Sequence, residues 1–106
     1  MKTMALAAAV LLASGYAVNA QEADVEAGAA YAERVCAPCH AVLANAKHSP
    51  LPQAPSFQSV ADTPGMTELA LTVFLQSSHP TMPNIILKPD DMRNVIAYIR
   101  SLESKD

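Results

Sequence analysis

Apolar positions along this 106-residue chain change their spacing from stretch to stretch, and each change predicts a different element. Met4 to Ala13 is an unbroken apolar run behind Lys2, and Val18-Asn19-Ala20 places small residues just before the polar Gln21. That order predicts a cleaved secretory leader over residues 1–20, leaving residues 21–106 as the mature chain. The run is well short of the ~20 residues that cross a bilayer, so no membrane span is expected in the mature protein. No cysteine sits at the cleavage point, so a lipoprotein anchor is not expected either.

From Asp24 to Val35 the apolar side recurs at helical spacing through Val25, Gly28, Tyr31, Ala32 and Val35, with Asp24 as N-cap. Gly28 costs such a helix up to ~1 kcal/mol relative to alanine, which points to another helix crossing close to its backbone. Residues 41–66 keep no period and carry Pro50, Pro52, Pro55 and Pro64, so they read as a long loop with a short helix at about Pro55 to Val60 anchored by Phe57. Unstructured loops of more than ~15 residues are uncommon in compact domains and usually serve a function. Thr67 to about Ser77 is nearly all apolar, through Leu69, Leu71, Val73, Phe74 and Leu75, and predicts a mostly buried helix. His79 and Pro80 end it, and three prolines with Met82 and Asn84 keep residues 79–89 extended. The last helix opens on Pro89 with Asp90 and Asp91 in its first turn, and Met92, Val95, Ile96, Ile99 and Leu102 form its apolar stripe. Lys88 stands where a Ser or Thr cap is usual. No strand alternation and no internal repeat is evident, so the fold class is all-α and the mature chain is one domain.

Charge narrows the partners. The chain carries a net charge of −3, and loss of Lys2 with the leader makes the mature chain one unit more negative, which argues against nucleic acid. A mature chain this short supports only a marginal core unless something apolar is added to it.

The chemistry lies in Cys36-Ala37-Pro38-Cys39-His40. Two thiols separated by two residues can each add across one vinyl group of a porphyrin, and the following histidine then falls under the iron, so the pentad reads as a c-type haem attachment site. A disulfide across so short a loop would stabilise almost nothing. A thioredoxin-like dithiol would follow a buried strand, whereas the alanine-rich lead-in from Glu26 to Val35 reads as helix. The opposite face of the iron has five candidates in Met66, Met82, Met92, His48 and His79. Met92 lies on a helix stripe as core filling, Met66 opens a helix, and His48 sits in the long loop. Met82 is held stiffly by Pro80 and Pro83, with His79 as its rival three positions earlier. Lys47, His48, Ser49, Gln53 and Ser56 are available as donors to haem propionates.

With CAPCH, a proline-rich loop, Met82-Pro83 and a terminal amphipathic helix in that order, the mature chain resembles the class I, single-haem c-type cytochromes of the small bacterial branch. The resemblance implies three to four helices wrapped around one covalent haem, with crossed N- and C-terminal helices and Gly28 facing Tyr98. It implies that Cys36 and Cys39 carry the thioether bonds, that His40 and Met82 are the axial ligands of the iron, and that the Pro55 carbonyl holds the other ring nitrogen of His40. The family's glycine soon after CxxCH is missing from Ala41 to Ser49, and the chain has no tryptophan.

The function implied is a periplasmic one-electron carrier rather than an enzyme, because six-coordinate iron offers no open position. A dehydrogenase would be its donor and an oxidase or another cytochrome its acceptor, with a monomer as the default state. Two other readings stand beside it: a haem enzyme or gas sensor whose sixth ligand is displaceable, and an electron-transfer subunit of a dehydrogenase complex.

Overall fold

The structure is a computed structural model that describes residues 22–77, 82 and 87–105. The expected leader, and His79, Pro80, Thr81, Pro83 and Asn84, lie outside the described residues. Those described form four α-helices, α1 (Val25–Tyr31), α2 (Phe57–Ala61), α3 (Glu68–Gln76) and α4 (Pro89–Ser101), with no strand among them. The architecture of the described residues is all-α, as the sequence predicts.

Three of the four α-helices begin where the sequence supplies a side-chain oxygen for an orphan N–H. Asp24 caps α1 by accepting from the Ala27 amide at 3.0 Å. Ser56 caps α2 through the Ser59 amide at 3.1 Å, and Thr67 caps α3 through the Ala70 amide at 3.1 Å. Lys88 offers α4 no side-chain cap, and Pro89 at the first turn with Asp90 and Asp91 beside it takes over that end.

The helix at α1 does not stop at Tyr31. It runs on through one π turn, Ala32–Cys36, closed by the Ala37 amide on the Ala32 carbonyl at 2.9 Å. A π turn carries more residues per turn than an α-helix, so it rotates the downstream residues relative to the helix face before it. Ala37 accordingly packs against the core beside Val35 and Cys36.

α1 and α4 form the main helix pair, and α2 and α3 pack on α4. Val95, Ile96 and Ile99 of α4 meet Tyr31 and Ala32 of the first helix, Phe57 and Ala61 of α2, and Leu71 of α3 in one core. The crossing is close at Gly28, where a Cβ would lie 2.0 Å from the Asn94 carbonyl oxygen and 2.9 Å from Tyr98 Cβ. Gly28 therefore faces Tyr98, as expected, and faces Asn94 more closely still.

One expectation fails on α3. Leu71 is buried and Leu75 packs partly against the core, but Leu69, Val73 and Phe74 are 73%, 55% and 51% exposed. Glu68, Thr72 and Gln76 give α3 one polar stripe, but apolar residues cover the rest of its circumference, so the pattern does not single out Leu71 and Leu75 as the side that meets α4. Among the described residues no helix is long and apolar enough to cross a membrane.

Candidate functional site

Cys36 ends the π turn, and its carbonyl accepts from both the Cys39 amide at 3.1 Å and the His40 amide at 2.9 Å. This single tight turn brings two thiols and an imidazole together within five residues. Both cysteines are free and partly buried. Burial pushes the Cys36 thiol up to about 11, so at neutral pH it is a neutral S–H.

His40 is fixed from outside the turn. Its Nδ1 lies 2.7 Å from the Pro55 carbonyl oxygen, and because that oxygen can only accept, Nδ1 carries the proton. Nε2 is left as the ring's lone-pair nitrogen, the tautomer a metal requires. The Phe57 ring stands 5.4 Å from the imidazole, tilted by 51°, and limits its rotation. Pro55 and Phe57 reach this place because Ser56, between them, is the buried cap of α2.

The residues after His40 are gripped in turn. The Ala41 amide donates to Ser49 Oγ at 2.9 Å, and the Ala41 carbonyl accepts from the Phe57 amide at 2.8 Å. The Val42 carbonyl accepts from the Tyr98 hydroxyl at 2.5 Å. Asn45 adopts φ 61°, the left-handed conformation that asparagine tolerates better than most residues, and its amide donates to Gln58 Oε1 at 3.0 Å. Gln58 Nε2 also donates to the Leu102 carbonyl at 2.6 Å, tying α2 to the end of α4.

Of the expected donors to propionates, Ser49 and Ser56 already accept from backbone amides, and Ser56 is buried. Met82 is a half-buried residue in a bend, while its rival His79 lies outside the described residues. Ser49, Asn45 and Gln58 were not marked by sequence as supports of this turn, because their partners lie 8 and 13 residues away with no local pattern to announce them. The donor set fits a covalently held, iron-bearing macrocycle: two free thiols on one turn and an imidazole with Nδ1 engaged.

The family model described as Cytochrome c matches residues 25–103. Among curated proteins, the chain is 39% identical over 93 residues to cytochrome c-552 of Bradyrhizobium diazoefficiens, a match that covers 88% of each chain. No solved structure matches the chain.

Proposed function

The chain belongs to the cytochrome c family and is a haem-based electron carrier with covalently attached haem c, and from that premise we propose that His40 and Met82 are the axial ligands of its iron and Cys36 and Cys39 its points of attachment. Bound haem supplies reversible one-electron exchange at iron; the chain's residues hold it and set its environment. The observation that carries the reading is the 2.7 Å contact between His40 Nδ1 and the Pro55 carbonyl. It fixes the imidazole's orientation, leaves Nε2 free to donate, and makes the ring a stronger donor by drawing on its N–H. A half-buried Met82 supplies a soft thioether, and His/Met ligation favours the reduced iron relative to bis-imidazole ligation, which suits a carrier of moderate to high potential.

The mature domain is residues 21–106, released in the periplasm after removal of the leader over residues 1–20. There it passes electrons between a dehydrogenase and an oxidase or another cytochrome, and catalyses no bond chemistry. Such encounters typically bury less than about 1,200 Å², so a net negative chain needs only a complementary basic patch on its partner.

An optical spectrum of protein matured with its leader tests the ligand set. A c-type reduced α-band together with the weak red ferric band of an iron–thioether bond is the expected result. A c-type spectrum lacking that red band would transfer the sixth position to His79 or leave it open. For the attachment, Cys36→Ala with Cys39→Ala should leave no haem-staining band on a denaturing gel, and a surviving band refutes the thioether assignment.

A further inference from the structure

We propose that Tyr98, on the last helix, is a positioning residue for His40, acting through the carbonyl of Val42 and the ring of Phe57. The inference rests on the reading of His40 as an iron ligand.

Beyond the turn that holds the His40 amide on the Cys36 carbonyl, the segment from His40 to Val42 is held at four points. Three of them come from the stretch just downstream: Pro55 on the imidazole, Ser49 on the Ala41 amide and Phe57 on the Ala41 carbonyl. The fourth comes from 56 residues away, where the Tyr98 hydroxyl donates to the Val42 carbonyl. Among the described hydrogen bonds it alone joins this segment to α4. Helix α4 is anchored by Val95, Ile96 and Ile99, each under 5% exposed, so the phenol refers the position of the ligand segment to the most deeply packed element of the fold.

The ring adds a second route. Tyr98 and Phe57 lie with centroids 6.5 Å apart at 54°, and Phe57 and His40 at 5.4 Å and 51°, so the three rings form one tilted stack ending on the imidazole. Phe57 is 6% exposed and has little freedom to move unless Tyr98 moves first. Val42 is 5% exposed, and a buried carbonyl that loses its donor draws its segment toward another. Such a drift stretches the bond between His40 and Pro55, and the imidazole becomes a poorer donor to ferric iron. The reduction potential then rises.

The test uses the haem-loaded protein with Tyr98→Phe, which removes only the hydroxyl, and Tyr98→Leu, which removes the ring as well. Potential is read by voltammetry, and the His40 ring is followed by its hyperfine-shifted proton resonances in the ferric state. The expected result is haem attachment and helical circular dichroism equal to the parent, a raised potential and displaced His40 resonances in the Phe variant, and a larger displacement in the Leu variant. A Phe variant that melts earlier while its potential and His40 resonances stay at parent values overturns the proposal, because a purely structural tyrosine would behave in that way. If the Leu variant fails to fold, the Phe variant alone decides. Absence of hyperfine-shifted His40 resonances from the parent protein itself would instead remove the ligand reading, and this proposal with it.

Discussion

Gly28 and Asn94 touch backbone to backbone: the position a Cβ would take on Gly28 is 2.0 Å from the Asn94 carbonyl oxygen. Asn94 also accepts from the Asp24 amide through its Oδ1 at 2.9 Å, so one residue of α4 fixes both the entry and the middle of α1. No side-chain rotation relieves a clash with a carbonyl. Gly28→Ala should therefore part the two helices and destabilise the protein by about 3 kcal/mol, at the high end for overpacking, and not stabilise it as helix propensity alone would suggest. A guanidinium titration of the haem-loaded variant measures this, and an unchanged midpoint would contradict the crossing.

Met82→His should leave the haem attached, because the thiols are untouched, and should lower the potential as thioether gives way to imidazole. The red ferric band of the iron–thioether bond should vanish in the same variant. If Met82→Ala kept that band while a change at His79 removed low-spin character, the axial assignment would be wrong.

The two sides of α3 should respond oppositely. Leu71 is 3% exposed, and Leu71→Ala should cost about 2–5 kcal/mol in a denaturant titration. Leu69→Gln and Val73→Thr, on residues 73% and 55% exposed, should fall within ~0.5 kcal/mol of the parent. A large loss at Leu69 or Val73 would mean that this side is covered in the haem-loaded protein.

Asp62 ties down the C-terminal segment. It accepts from the Ser104 amide at 2.7 Å and from Gln58 Nε2 at 3.0 Å, and these bonds, the Ser104 amide first, hold its carboxyl below the ordinary value of 3.8. A depressed carboxylate stabilises the fold above its unfolded value, and that contribution is lost as pH falls through the folded one. The Ser104 amide should stay protected from hydrogen exchange, after correction for intrinsic rates, down to about pH 4 and lose protection below that. Asp62→Asn should remove most of this pH dependence, since an amide does not titrate in that range. Persistence of the full dependence in the variant would place its origin elsewhere.

Legibility from sequence followed the range of the interaction. Asp24 and the stripe of Val95, Ile96 and Ile99 could be read directly, since a cap and a helical period are local patterns. Gly28 was readable because a glycine inside a helix is costly enough to demand a neighbour. The exposed face of α3 was not, since its single polar stripe of Glu68, Thr72 and Gln76 leaves several apolar sides that could equally meet the core. The π turn was equally hidden, because nothing in Ala32–Cys36 distinguishes it from one more α turn. The supports of His40 divide along the same line: Pro55 came by family resemblance, while the bond from Tyr98 to Val42 spans 56 residues and leaves no trace in either neighbourhood.

The pairing of α1 with α4 joins the two ends of the chain, and this sets an order of events. A polypeptide made N-terminus first presents Cys36, Cys39 and His40 before Asn94 and Tyr98 exist to pack on Gly28 and hold the Val42 carbonyl. Contacts of such long sequence separation form late, since closing the intervening loop must precede any gain from packing. The two thiols thus exist before the helix that completes the core packed against Cys36, and both stay partly exposed once it has formed.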